Sequence, residues 1–187
     1  MLTFVIIVGE YAESGITNSK EIFLYLCVIC RTVRFSLVYF SFYVKGLFAK
    51  ASSNKFVIFA EADFGKIYKV PLEVPETPCY PLEISTNISR PVAVDYDPVE
   101  GKIYWSDVTS ALVARAFPNG SSAEVIAHNN VITPEGLALD YIGRNIYWTD
   151  EGNNRTEVAK MDGSCRRSLI TSNIEKPRAI LLDIGER

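Results

Sequence analysis

A net charge of −3 spread over 187 residues, with one histidine, supplies neither the basic stripe of a nucleic-acid surface nor a multi-histidine metal site. Hydrophobic residues make up 48% of the chain, enough for a sizeable core in a domain of this length. Charge is uneven: residues 1–50 sum to +2 and the remainder to −5, which sets an N-terminal segment apart from the rest of the chain.

That segment, residues 1–54, is read as an atypical apolar leader or a piece outside the main domain. Met1 to Val8 is apolar but lacks a positively charged start, and Gly9-Glu10 ends the run early for a signal peptide. A second run, Ile22 to Cys30 and on through Phe35 to Val44, is broken by Arg31 and Arg34, which are costly inside a membrane span. Cys27 and Cys30 form a lone Cys-x-x-Cys with no second pair, so packing explains them better than zinc. Cys79 and Cys165 stand far apart, and their pairing does not follow from sequence.

Residues 55–187 are organised differently. Phe56 to Ala60, Gly65 to Leu72 and Cys79 to Ser85 read as three strands of a partial unit, 55–86, that lacks a preceding strand. From Pro91, Val92, Val94 and Tyr96 alternate with Ala93 and Asp95, a strand pattern of period two. A turn at Asp97 to Gly101 leads into Lys102 to Ser106, then Leu112 to Phe117. Asn119-Gly120, expected to supply the positive backbone angles of a tight hairpin, leads to Ala123 to Ala127. The order then repeats with Gly136 to Tyr141, Ile146 to Thr149, Thr156 to Met161, a turn at Asp162-Gly163, and Arg166 to Thr171. Units are thus expected at about 89–130 and 131–174, with an opening strand at 177–184.

Tyr104-Trp105-Ser106-Asp107 and Tyr147-Trp148-Thr149-Asp150 stand 43 residues apart, as do Pro91, Pro134 and Pro177, and Gly120 and Gly163. Asp95 and Asp140 look equivalent but are 45 apart, implying a two-residue slip absorbed by a turn. A period of this length built from short strands marks a β-propeller blade, which cannot bury both faces alone. The fold class expected is all-β: an incomplete six-bladed propeller of four-stranded antiparallel blades, with a blade face exposed at each end of the array.

The two tetrapeptides at this interval resemble the YWTD propellers of the low-density-lipoprotein-receptor-related family. Arg115-Ala116-Phe117, Asn119-Gly120-Ser121, Pro134-Glu135-Gly136, Asn154-Arg155-Thr156-Glu157-Val158, Met161-Asp162-Gly163-Ser164 and Pro177-Arg178-Ala179 are most similar to the Wnt co-receptor branch, in the opening blades of its third propeller. The resemblance implies a cell-surface receptor ectodomain that binds secreted proteins such as Wnt proteins or their antagonists, without a cofactor. A lipoprotein-type endocytic receptor, a nidogen-like matrix-adhesion protein and a truncated product without independent activity are the alternatives.

Recurrence of Tyr104, Trp105, Ser106, Asp107, Tyr147, Trp148, Thr149 and Asp150 favours a scaffold role. Rings fill the wedge between blades, and the aspartates tie backbone amides rather than act as catalytic carboxylates. The resemblance places ligand contacts on the rim formed by loops leading into the inner strands, at Arg90, Glu135 and Arg178, where Arg90 stands against an expected acidic residue. His128, beside Asn129-Asn130, assembles no catalytic triad and no metal set. Sequons at Asn87, Asn119 and Asn154 are candidate glycosylation sites suited to an extracellular setting, although Asn119 also has a turn role.

Overall fold

The computed structural model describes residues 7–9, 56–71, 80–86 and 88–183. Cys27, Cys30, Cys79, Asn87 and all of residues 1–54 except 7–9 lie outside them, as do the expectations placed there.

Three antiparallel sheets succeed one another along the chain. The first contains β1 (Ile7–Gly9), β2 (Phe56–Glu61) and β3 (Lys66–Pro71), with a single further bridge from Tyr68 to Pro81. Among the described residues of the expected third strand, 80–85, that bridge is the strand pairing seen, and a proline at the pairing position supplies no amide to a longer ladder. The second sheet is a meander of β4 (Pro91–Asp97), β5 (Lys102–Asp107), β6 (Leu112–Ala116) and β7 (Glu124–Ala127). The third repeats it with β8 (Pro134–Asp140), β9 (Asn145–Asp150), β10 (Arg155–Lys160) and β11 (Arg167–Ile170).

The three strand-to-strand hairpins share one register. Asp107 pairs with Leu112, Asp150 with Arg155 and Glu61 with Lys66, so β2, β5 and β9 are equivalent strands and β1 lies where β4 and β8 lie in their sheets. The residue just before the third strand has a left-handed backbone each time: Gly65, Ala111 and Asn154, with φ of 63°, 51° and 48°.

Register also revises the aspartate comparison. Asp95 faces Tyr104 whereas Ala138 faces Tyr147, and Asp97 faces Lys102 as Asp140 faces Asn145. Asp140 is therefore the counterpart of Asp97, 43 residues away, and the slip read from Asp95 does not exist. Each of this pair is buried and accepts a turn amide, from Val99 at 2.9 Å and from Gly143 at 2.7 Å.

The alternation in β4 does not separate core from solvent. Val92, Ala93 and Val94 are all buried, because one face of the second sheet meets the first sheet and the other meets the third. Trp105 packs with Phe56, Ile58, Ala60 and Ile67 on one side, while Tyr104 packs with Leu137, Leu139, Ile146 and Trp148 on the other. Each tryptophan thus points back toward the preceding sheet and Tyr104 points forward. Burying such rings is the main apolar gain available to a stacked sheet, on the order of 1.5–3 kcal/mol per large side chain.

The Asn119-Gly120 turn differs from a hairpin with two positive angles. Only Gly120 of the pair is left-handed (φ 82°), and its amide donates to the Phe117 carbonyl at 2.8 Å. Gly163 (φ 87°) repeats this with Lys160. Of the opening strand expected at 177–184, residues 177–183 are described and form no strand.

Candidate functional site

The lead-ins to the inner strands are built by the tetrapeptide aspartates. Asp107 accepts the amides of Ser89 (2.7 Å) and Arg90 (2.9 Å) on one oxygen and those of Thr109 and Ser110 on the other. Asp150 accepts the amides of Ile132 and Thr133, one on each oxygen, and also accepts from the Asn153 side chain at 2.6 Å. Both carboxylates are buried and their oxygens are engaged by donors, so they act as clamps that set the rim loops rather than as groups presented to a substrate.

These clamps define which rim positions correspond. Arg90 donates its amide to Asp107 as Thr133 donates to Asp150, which puts Arg90 in the place of Thr133. The counterpart of Glu135 in the second sheet is Val92, which is buried. Arg90 is exposed on its lead-in loop, but it does not occupy the Glu135 position one blade earlier, and its charge is not a reversal at that position.

Glu135 and Arg178 do hold equivalent positions, one residue after Pro134 and Pro177, and the fold draws their backbones together. The Thr149 hydroxyl accepts from the Gly136 amide at 2.8 Å and donates to the Arg178 carbonyl at 2.6 Å. A Cβ at Gly136 would lie 2.1 Å from that same carbonyl, so only glycine permits this approach next to Glu135. The Arg178 guanidinium lies 3.5 Å from the Glu151 carboxylate with its side chain half exposed, a geometry worth little in stability and readily exchanged for a ligand carboxylate. Glu135 is half-buried, and its side chain is not in ion-pair contact with Arg90 or Arg178. Ser106, the counterpart of Thr149, has a buried hydroxyl with no partner among the described residues.

Two features of this rim are not legible in the sequence. Glu151, the partner of Arg178, comes directly after the second tetrapeptide and could be found only by knowing that the turn after the aspartate folds back toward the next lead-in. Ile132, exposed on the lead-in loop, adds an apolar contact point beside Thr133, and sequence alone gives a surface isoleucine no distinguishing mark.

Away from the rim, a polar seam joins the second and third sheets. Arg115 donates to the Met161 carbonyl at 2.9 Å and to the Tyr104 hydroxyl at 3.1 Å, and forms an ion pair with Glu124 at 2.6 Å. Arg144 bridges Asp97, at 2.7 Å, and Glu100. It does so from a left-handed backbone (φ 56°) at the position Gly101 holds in the preceding turn, with the carboxylates compensating the strain. Asp95 accepts the Leu139 amide at 2.8 Å and the Tyr96 amide at 2.6 Å, yet burial, aided by the charge on Asp97, raises its pKa to about 6. Burial likewise pushes the Tyr104 phenol up, against the pull of Arg115.

Cys165 is exposed and free. Asn119 is exposed, with its side-chain oxygen accepting the Ser121 amide. Asn154 is exposed too, and accepts the Lys176 amide at 2.9 Å.

Comparison with known proteins agrees with this geometry. Residues 101–141 and 144–184 match the family model of the low-density lipoprotein receptor repeat class B. Low-density lipoprotein receptor-related protein 5 of Homo sapiens is 33% identical over 91 residues, which is 49% of this chain and 5% of the relative. Low-density lipoprotein receptor-related protein 4 of Homo sapiens is 43% identical over 83 residues, 44% of this chain and 4% of the relative. The chain thus spans about one twentieth of the length of these receptors. A chain in the crystal structure of a nidogen/laminin complex superposes with a TM-score of 0.59 at 34% identity, covering 66% of this chain and 47% of the other. Residues 101–141 and 144–184 are thus similar to class B repeats of the low-density lipoprotein receptor, and the chain folds as consecutive four-stranded blades of an incomplete β-propeller.

Proposed function

We propose that this chain is part of a cell-surface receptor ectodomain that binds secreted protein ligands, Wnt proteins or their antagonists, in Wnt signalling, and that its repeats correspond to the opening blades of a third propeller. The observation that carries the reading is the pair of class B repeats shared with receptor-related proteins 4 and 5, set on a scaffold whose tetrapeptide aspartates are engaged in clamping the rim. Residues 55–187 form the propeller portion, and binding rather than chemistry is its role. Glu135 and Arg178 are the principal ligand contacts, with Arg90 one loop away and Ile132 adding apolar area. Asn119 and Asn154 carry glycans on the extracellular side.

The likeness to a chain of the nidogen/laminin complex favours a second reading, matrix adhesion. The immobilised 187-residue chain, titrated in parallel with a purified Wnt protein, a secreted Wnt antagonist and laminin, separates the two. Saturable binding of a Wnt-class ligand that Glu135→Lys weakens, with thermal stability unchanged, supports the receptor reading. Binding of laminin alone supports the adhesion reading, and an unaltered Glu135→Lys variant removes Glu135 from the site.

A further inference from the structure

The two described sequons stand at opposite ends of the sheets. β6 leaves the rim at Leu112, which pairs with Asp107, and runs to Ala116, so the turn that carries Asn119 lies at the far end. Asn154 immediately precedes Arg155, which pairs with Asp150, and so lies at the rim end. Its counterparts in the other two sheets, Gly65 and Ala111, share its left-handed backbone but have no side-chain amide, so this position bears one in the third sheet alone.

Asn154 is exposed, and its Oδ1 accepts the Lys176 amide at 2.9 Å. Lys176 stands two residues before Arg178, and Glu151, which meets Arg178 at 3.5 Å, belongs to the same turn as Asn154, whose own amide donates to the Glu151 carbonyl at 3.2 Å. The side chain is thus fixed by its oxygen among the groups around Arg178, and its Nδ2 is the atom that takes a sugar. Glycosyl transfer joins Nδ2 to the anomeric carbon of a lipid-pyrophosphate-linked oligosaccharide, breaks the bond from that carbon to the pyrophosphate oxygen, and releases the lipid pyrophosphate and one Nδ2 proton. The carbonyl oxygen takes no part, so the Lys176 hydrogen bond persists in the glycosylated chain. Recognition of the triplet also needs the hydroxyl of Thr156, which is buried in β10 opposite Thr149. Transfer therefore precedes the pairing of β10 with β9, and the folded blade then holds the glycan in place.

We infer that a glycan on Asn154 shields the Arg178–Glu151 side of the rim from protein ligands, while one on Asn119 leaves the rim open, an inference that rests on the extracellular binding role proposed above. A branched oligosaccharide anchored beside Lys176 stands across the approach to Arg178. A macromolecule must displace or avoid it, whereas a small molecule passes. Occupancy at Asn154 then sets what share of the chain is competent to bind, and apparent affinity falls with that share.

The 187-residue chain carrying Lys176→Cys, produced through a secretory pathway behind a cleaved signal, tests the shield. Cys165 is the internal reference, since this exposed thiol lies in the turn after β10, at the end away from the rim. Peptide mass should show an oligosaccharide on Asn154. A polymer-linked maleimide should label position 176 more slowly by several-fold, relative to Cys165, than it does once Thr156→Val has abolished the triplet at nearly constant side-chain volume. Amidase release of the glycan, which leaves an aspartate in place of the asparagine, should restore the rate in the same way, and a small maleimide should label all forms alike. With natural Lys176 and a secreted Wnt antagonist as ligand, Thr156→Val should bind about ten-fold more tightly than the glycosylated chain, the worth of one central contact. An unmodified Asn154, polymer labelling indifferent to the glycan, or equal antagonist affinity of the two forms overturns the shield and leaves the receptor reading standing. Absence of antagonist binding by every form counts against the receptor reading, and the labelling rates then decide the shield alone.

Discussion

The second and third sheets have the same strand order and the same pairing between their central strands, yet they differ in what they bury. Tyr104 is fully buried and its counterpart Tyr147 is half-buried; Val125 is 46% exposed in β7, while all of β11 is exposed, with Ile170 at 49%. The cause is position in the stack. The second sheet is covered on both faces, whereas the face of the third that carries Tyr147 has no further sheet against it among the described residues. Local sequence makes the blade, and its neighbour decides how much of the blade becomes core.

The largest expected effect tests the half of this comparison in which the two blades are alike. Trp105 and Trp148 both point toward the preceding sheet and both are fully buried, so position in the stack should not distinguish them. Replacing either by Ala should cost roughly 3–5 kcal/mol in denaturant unfolding at fixed chain concentration. A loss at Trp148 below half that at Trp105 would show that the outer blade is only loosely docked.

A smaller effect separates the blades at their equivalent turn glycines. An added Cβ would stand 1.6 Å from the Glu83 carbonyl at Gly120 and 2.6 Å from the Ile126 carbonyl at Gly163. Both positions are left-handed, so Ala is strained at each, and at each the facing backbone must also move, further at Gly120 than at Gly163. We expect Gly120→Ala to cost about 3 kcal/mol and Gly163→Ala about 1–2, measured the same way. Equal losses would mean that backbone strain alone governs these turns.

The same contrast shows what is legible in the sequence. Strand positions from Phe56 to Ile170 come from turn residues and the 43-residue period, because those signals are local. Recurrence marks Asp107 and Asp150 as equivalent, and each accepts the amides of its own lead-in loop. Rim correspondence is harder. Arg90 and Glu135 look alike as charged residues flanking a proline, but one precedes Pro91 and the other comes after Pro134, and pairing register is needed to see that Val92 is the true counterpart. Asp95 resembles Asp140 in the same misleading way, since identity of residue type is a weaker guide than the partner strand. Burial of Tyr104 but not Tyr147 is illegible within either repeat, as it arises between them.

Asp95 and its counterpart Ala138 give a pH-dependent form of the comparison. With its folded pKa raised to about 6, Asp95 binds a proton more tightly in the folded state than in the unfolded chain. Its stabilising contribution is therefore complete below about pH 4 and is lost as pH rises through 6. Asp95→Asn keeps an oxygen for the Leu139 amide and removes the buried charge, so it should match the natural chain near pH 4 and exceed it at pH 7 by on the order of 2 kcal/mol. Unfolding of both chains at pH 4, 5, 6 and 7 checks this. A difference that does not grow with pH would mean the carboxylate is solvated rather than buried between β4 and β8.

The smallest effect is the most direct test of position in the stack. The Tyr104 hydroxyl lies between two sheets, accepting from Arg115 at 3.1 Å and donating to the Met161 carbonyl at 3.3 Å. Tyr104→Phe leaves the ring in place and removes only this link. It should cost about 1 kcal/mol, limited because Arg115 still reaches the same carbonyl at 2.9 Å. Tyr147 has Val158 facing it across the hairpin where Tyr104 has Arg115, so neither a guanidinium nor a further sheet engages its hydroxyl from those directions. Tyr147→Phe should lie within about 0.5 kcal/mol of the natural chain. Unfolding of both variants beside the natural chain checks this, and equal losses at Tyr104 and Tyr147 would mean that position in the stack does not govern what these hydroxyls contribute.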